Sequence, residues 1–247
     1  MRVIVKTVLA VIILLTAGTG SLWAQPLIVG CDTGMKPFVY IGPEGDYTGF
    51  DVELWKAIAK KLKLEYKFMP MDFKQLIPAL ESKKIDVALA ALSIRSEREK
   101  RIDFSFPYFD SGLRLMVRAS DDQISDIGDL DDKVVATKRG TTSAEFVQNI
   151  QTGTVKLFPT ISEAYLALKK GRADAVIFDS PAILNYISTD GKDIAKTVGR
   201  PQKRQYYGIG FRQGSDLKEK VSITILTMLE DGMYDIIFRK WFGYVAQ

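Results

Sequence analysis

Ile85-Asp86-Val87-Ala88-Leu89-Ala90-Ala91-Leu92-Ser93-Ile94 is apolar almost throughout, and Arg95-Ser96-Glu97-Arg98-Glu99-Lys100-Arg101 follows it at once. A continuous apolar run of this kind predicts a parallel strand covered on both faces rather than a half-exposed one. In open parallel sheets, ligands sit in the crevice beyond the carboxyl ends of the strands. Ser93 and Arg98 therefore stand where a small anion can be held. Most of the charged run reads equally well as a solvated helix face. Arg98 is singled out because a guanidinium fork suits a carboxylate in two-point contact.

Working outward, residues 26–32 read as a strand, 33–38 as a loop, and 39–47, with Gly42-Pro43 and Gly45-Asp46, as a hairpin and turn. Val52, Leu54, Trp55, Ile58, Ala59 and Leu62 recur at helical spacing after Phe50. Residues 64–69 suit a strand, and Asp72 suits the cap of a helix reaching about Ser82. This strand-helix order implies a parallel sheet with right-handed crossovers. Residues 120–132 are acidic and turn-rich, and the pattern then starts afresh. Strands are expected at 133–137, 155–158 and 173–178, with helices at 143–150, 161–169 and from Ser180-Pro181, where proline fits the first turn. Two similar α/β units in succession predict two lobes. A last strand over 206–211 and helices over about 216–231 and 233–242 can pack back on the first lobe, so that the chain crosses between lobes twice.

The first 24 residues have a basic start at Arg2 and Lys6, a short apolar core at 8–15, and Ala24 after Ser21-Leu22-Trp23. That is the layout of a secretory signal peptide, its core too short to span a bilayer. A soluble, exported, periplasmic protein is expected. Cleavage lowers the formal charge from +4 to +2, too balanced to argue for nucleic acid or an acidic membrane surface. Cys31 is the one cysteine and histidine is absent, which excludes an internal disulfide, a histidine-based triad and a transition-metal site. Ile28-Val29-Gly30-Cys31 looks like a lipidation box, but it lies far from the apolar core and reads as the first buried strand.

Gly49-Phe50-Asp51-Val52-Glu53-Leu54-Trp55, Pro70-Met71-Asp72-Phe73, Ile77-Pro78-Ala79-Leu80, Glu97-Arg98, Ile102-Asp103-Phe104-Ser105, Ala173-Asp174-Ala175-Val176 and Lys240-Trp241-Phe242-Gly243 occur in order along the chain. In this set the chain resembles the exported amino-acid-binding proteins of ABC importers (solute-binding protein family 3), with the glutamine binders as the nearest pattern. The resemblance covers residues 26–244. It implies a two-lobed periplasmic binding protein fold of type II, each lobe a mainly parallel sheet flanked by helices. Lobe 1 would be 26–106 plus 208–247, lobe 2 112–202, and the hinge 107–111 and 203–207. It further implies that Arg98 holds the ligand α-carboxylate, with the Thr142 backbone donating to it. Ser93 would sit between carboxylate and ammonium, the Ala91 backbone would accept from the ammonium, and Asp179 would pair with it from the other lobe. Phe73 would pack on the ligand's aliphatic chain and face Met35. Without the resemblance, Asp179 reads as a helix cap, Phe73 as a core aromatic and Met35 as a gap-filling loop residue.

Asp32 and Lys138 match the family positions that contact a side-chain amide. One acceptor and one donor of opposite charge suit a neutral amide, whereas a guanidinium would face Lys138 and a carboxylate would face Asp32. This favours glutamine, then asparagine. Met35, Phe178, Ala91 and Thr142 depart from the glutamine-binding pattern, and Gly140-Thr141-Thr142 is closer to the loop of the basic-amino-acid binders, which keeps arginine or another polar amino acid open. The expected partners are a free amino acid and a membrane permease, with the protein itself a monomer and no cofactor or metal. A dehydratase-like enzyme on this fold would need a carboxylic acid poised near the operating pH, for which Glu145 is the nearest candidate, though it also suits the first turn of its own helix. A sensor module would need a membrane-spanning or effector segment.

Overall fold

The computed structural model describes residues 25–243, so the signal-peptide reading of 1–24 and the last four residues lie outside it. Two five-stranded sheets, each with helices packed on it, form two lobes. In the first, β1 (Leu27–Cys31), β5 (Tyr66–Pro70) and β6 (Val87–Leu89) run parallel. There, β13 (Gly210–Arg212) is antiparallel to both β6 and β7 (Ile102–Phe104), giving the order β5-β1-β6-β13-β7. In the second, β9 (Val134–Lys138), β10 (Thr154–Phe158) and β11 (Ala175–Asp179) run parallel. Next to β11 lies the antiparallel β8 (Phe109–Arg118), with β12 (Ala195–Tyr207) outside it, in the order β10-β9-β11-β8-β12.

Both sheets are mainly parallel, as the sequence predicts, and each is made mixed by one strand that runs against the other four. The strand that runs against the rest, β13 or β8, is in each case the first one after the chain crosses from the other lobe. A strand delivered by a helical crossover starts at the same end as its predecessor, whereas a direct crossing arrives at the opposite end. A separate small sheet of β2 (Gly34–Met35), β3 (Val39–Ile41) and β4 (Tyr47–Thr48) matches the expected hairpin.

Helix α1 (Phe50–Leu62) buries Val52, Leu54, Trp55, Ile58 and Ala59, the residues marked by their spacing. It packs against α7 (Leu217–Glu230) and α8 (Met233–Phe242), which return to the first lobe as expected. Gly49 precedes it at φ 126, where a Cβ would lie 2.1 Å from the Phe38 carbonyl oxygen, so only glycine fits. An aromatic cluster then continues into the crossing: Phe38 lies 5.0 Å from Phe109 and 5.3 Å from Tyr207, ring centre to ring centre.

Three local departures have physical causes. Asp72 caps only a single 3-10 turn, Phe73–Gln75, without a side-chain bond, and α2 (Leu76–Glu81) begins after it. Pro78 would clash inside a helix starting at 73 but is tolerated in the first turn of one starting at 76. The stretch 85–94 forms a strand over only three residues, because Ala91 turns to φ 47 and its N–H leaves the ladder for the Asp51 carboxylate. The strand expected at 206–211 breaks at Gly208, where a Cβ would meet Ile94 at 3.0 Å and Phe104 at 3.1 Å. Cys31 is fully buried at the end of β1, as the first-strand reading predicts, and burial pushes its thiol up to about 12.

Candidate ligand-binding site

The carboxyl ends of β1, β6, β9 and β11 meet at one cleft between the lobes, lined by Asp32, Met35, Phe73, Ala91, Ser93, Arg98, Lys138, Thr142, Phe178 and Asp179. Every residue expected from the sequence to bind ligand is there, joined by Ala90 and Thr141; Glu145, the acid weighed for catalysis, is not. The cleft is closed, with a free volume of 10 Å³, room for about one water.

Arg98 sits in the one-turn helix α3 (Ser96–Glu99), and its Nη1 donates to the Ser93 carbonyl at 3.0 Å. Burial lowers its pKa to about 10, against the pull of the Glu145 and Asp179 carboxylates, so it remains charged at neutral pH. Its guanidinium carbon lies 5.4 Å from the centre of the Phe73 ring and the Lys138 ammonium 5.3 Å, so two cations lie over the one ring. Phe73 is partly buried, packed at the edge of the core cluster around Leu76 and Leu80 while its ring also lines the cleft.

Asp179 ends β11 and stands at the N-cap of α6 (Ser180–Ser188), yet its side chain caps nothing. Its Oδ2 accepts from the Tyr207 hydroxyl at 2.6 Å, while its Oδ1 is buried without a partner. Burial raises its pKa to about 6, opposed by the Tyr207 hydrogen bond and then by Arg98 and Lys138. A buried carboxylate oxygen with no donor is costly unless something cationic reaches it.

At the far end, Lys138 from β9 donates to Asp32 beyond β1, a buried ion pair between the lobes. Thr141 receives the Ala144 N–H at 3.3 Å and so caps α4 (Thr142–Gln148), leaving Glu145 in its first turn. Glu145 is half-exposed and bonds Arg95 across the cleft rim at 3.0 Å, outside the cleft lining. Behind the site, Asp51 accepts from the Ala91 N–H and the Tyr108 hydroxyl, both at 2.8 Å. Burial raises Asp51 to about 6 against those two bonds. Asp51, Tyr207 and Gln205 are the residues that sequence reasoning missed.

A closed cleft offering a cation from one lobe and an anion from the other defines a receptor for a small dipolar molecule. Residues 27–244 match the family described as Bacterial extracellular solute-binding proteins, family 3, and the chain belongs to it. It is similar to the L-cystine-binding protein TcyJ of Escherichia coli (strain K12), 34% identical over 220 residues that cover 88% of this chain and 82% of that protein. Against the ABC transporter glutamine-binding protein GlnH of Bacillus subtilis (strain 168) it is 33% identical over 222 residues, covering 87% and 80%. A solved ancestral arginine-binding protein bound to arginine superimposes with a TM-score of 0.84 at 41% identity, covering 88% of this chain and 98% of that one. The glutamine binders are thus one of three named specificities among these relatives rather than the nearest pattern. All three are binding proteins, not enzymes. Among the described residues no helix is long and apolar enough to cross a membrane.

Proposed function

We propose that this protein captures a polar, net-neutral L-amino acid, glutamine foremost, and delivers it from the periplasm to the permease of an ABC transporter. The observation that carries this reading is the balanced set of charges in the cleft: Arg98 and Lys138 against Asp32 and Asp179. Arg98 takes the α-carboxylate, with the Thr142 N–H as a second donor. The partnerless Asp179 Oδ1 takes the α-ammonium, with Ser93 and the Ala91 carbonyl beside it. Phe73, Met35 and Phe178 enclose the aliphatic chain. Removing a zwitterion from water is costly unless both its charges are met, so a ligand spanning the lobes favours their closure.

On this reading lobe 1 takes 26–106 and, of the expected 208–247, the described residues 208–243, and lobe 2 takes 112–202. Bending falls at 107–111 and 203–207, where β8 begins and β12 ends. The lobes must part to admit a ligand of this size. The side-chain amide then inserts between Asp32 and Lys138, its nitrogen donating to the carboxylate and its oxygen accepting from the ammonium. Arginine would add an uncompensated cation beside Lys138, which counts against it.

A second reading rests on the same ion pair. A side chain that ends in its own ammonium and carboxylate, as in cystine, also matches one anion and one cation, and a cystine-binding protein is among the relatives. Calorimetry with the twenty amino acids and cystine, on protein refolded free of copurified ligand, tests both. Glutamine binding most tightly supports the first and cystine the second. Preference for arginine or for an apolar amino acid would defeat the charge argument.

A further inference from the structure

Gln205 lies on β12, the second strand that crosses between the lobes, and is 6% exposed. Its amide oxygen accepts two hydroxyl protons at once, from Ser93 at 2.7 Å and from Thr142 at 2.6 Å. Ser93 belongs with β6 in the first lobe and Thr142 opens α4 in the second, so one side chain on the crossing strand holds a hydroxyl from each side of the cleft.

The backbone builds this meeting point. The Tyr206 carbonyl accepts from the Ile94 N–H at 2.8 Å and the Leu92 carbonyl from the Gly208 N–H at 3.0 Å, which lays the 92–94 segment along the end of β12. Ser93 and Tyr207 form an isolated antiparallel bridge there. The pairing of β12 with β8 slips between Gln202 and Gln205, and Lys203 between them stands at φ 40. Such an irregularity re-aims the side chains that follow it. The amide nitrogen of Gln205 is buried without a partner.

We infer that Gln205 is a positioning residue of the binding site: a clamp that draws Ser93 and Thr142 onto one oxygen and sets the polarity they show the ligand. A hydroxyl has one proton to give. With both protons committed to Gln205, the Ser93 and Thr142 oxygens present lone pairs to the cleft. They then reinforce Asp179 in receiving the α-ammonium and leave the α-carboxylate to Arg98 and backbone N–H groups. The Ser93 bond joins the crossing strand to the first lobe and the Thr142 bond joins it to α4 of the second. This inference rests on the proposed amino-acid site.

The test is a pair of mutant cycles. In the first, glutamine binding is measured by calorimetry for wild type, Gln205→Met, the Ser93→Ala/Thr142→Val double variant, and all three substitutions together. Gln205→Met is expected to weaken binding about tenfold in the wild-type background, the scale of two lost hydrogen bonds. In the double variant the same substitution is expected to cost less than twofold, because the partners it acts through are gone. An equal loss in both backgrounds would overturn the clamp, since a merely structural role costs the same in each. The second cycle uses thermal melting of ligand-free protein with Gln205→Met and Thr142→Val. Non-additive shifts are expected and additive shifts refute the inference. If wild type binds no glutamine, the ligand assignment falls, and the melting cycle still decides the clamp.

Discussion

The two ends of the cleft each hold one cation and one anion, and they use them differently. At the near end Arg98 and Asp179 are kept apart: Arg98 is turned to the Ser93 carbonyl, and Asp179 keeps one buried oxygen without a donor. At the far end Lys138 and Asp32 are joined to each other. Charges held apart cannot satisfy one another and so demand a dipolar guest. Charges that are paired satisfy themselves, and a guest must offer something as good to come between them. On the proposed reading the near end supplies affinity for any α-amino acid, and the far end sorts side chains.

Arg98→Ala should have the largest effect. Losing a desolvated charge partner costs about 2–5 kcal/mol, so affinity should fall by more than about thirtyfold. Amino acids should then stabilise the variant by less than about 1 kcal/mol, where wild type at about 100 times its dissociation constant gains roughly 2.7 kcal/mol. A wild-type shift in the variant would take the carboxylate away from Arg98.

Next, Lys138→Met and Asp32→Asn should reorder the ligands rather than abolish binding. The first should bring arginine forward and the second glutamate, because each removes the charge that opposes that side chain. Both should also lower ligand-free stability, by up to about 3–5 kcal/mol, since the remaining charge is left buried and alone. An unchanged ranking in both would erase the distinction between the two ends.

Acidity should move affinity and ligand-free stability in opposite directions. Asp179 and Asp51 are raised to about 6 in the folded protein, from about 3.9 when unfolded. Groups raised in this way stabilise the fold below their unfolded values, and that contribution is lost as pH rises through about 6. The ligand-free protein should therefore melt higher at pH 5 than at pH 7. Binding needs Asp179 ionised and should weaken up to tenfold per pH unit below about 6. Asp179→Asn should flatten the affinity profile, and a pH-dependent profile surviving in it would place the titration elsewhere.

Arg95→Ala, which removes the rim pair with Glu145, should change closure least. That pair is partly exposed, worth at most about 1 kcal/mol and screened by salt. A larger change in affinity would move weight from the cleft to its rim.

The same contrast explains what the sequence could reveal. Parallel strands and α1 were legible because buried apolar residues recur with a fixed period. The long crossing strands were not: β12 carries Lys196, Arg200, Lys203 and Arg204 and alternates poorly, since much of it faces solvent. Gln205 and Tyr207, which hold the site residues in place, sit on that strand and went unmarked with it. Ala91 offers no sign of its φ of 47, because alanine rarely takes that conformation and only the Asp51 carboxylate behind it explains the turn. The charged cleft residues were placed chiefly by the family resemblance. Position beyond the strand at 85–94 singled out Arg98 and Ser93 for a small anion, but the residues around Asp179 read only as a cap.

The most direct measurement is calorimetry of glutamine beside two blocked forms, its α-carboxamide and its N-acetyl derivative. The first lacks the charge that Arg98 receives and the second the charge that Asp179 receives. Glutamine should bind while both blocked forms bind at least a hundredfold more weakly. Either one binding within a few-fold of glutamine would contradict joint neutralisation of a zwitterion by the two lobes.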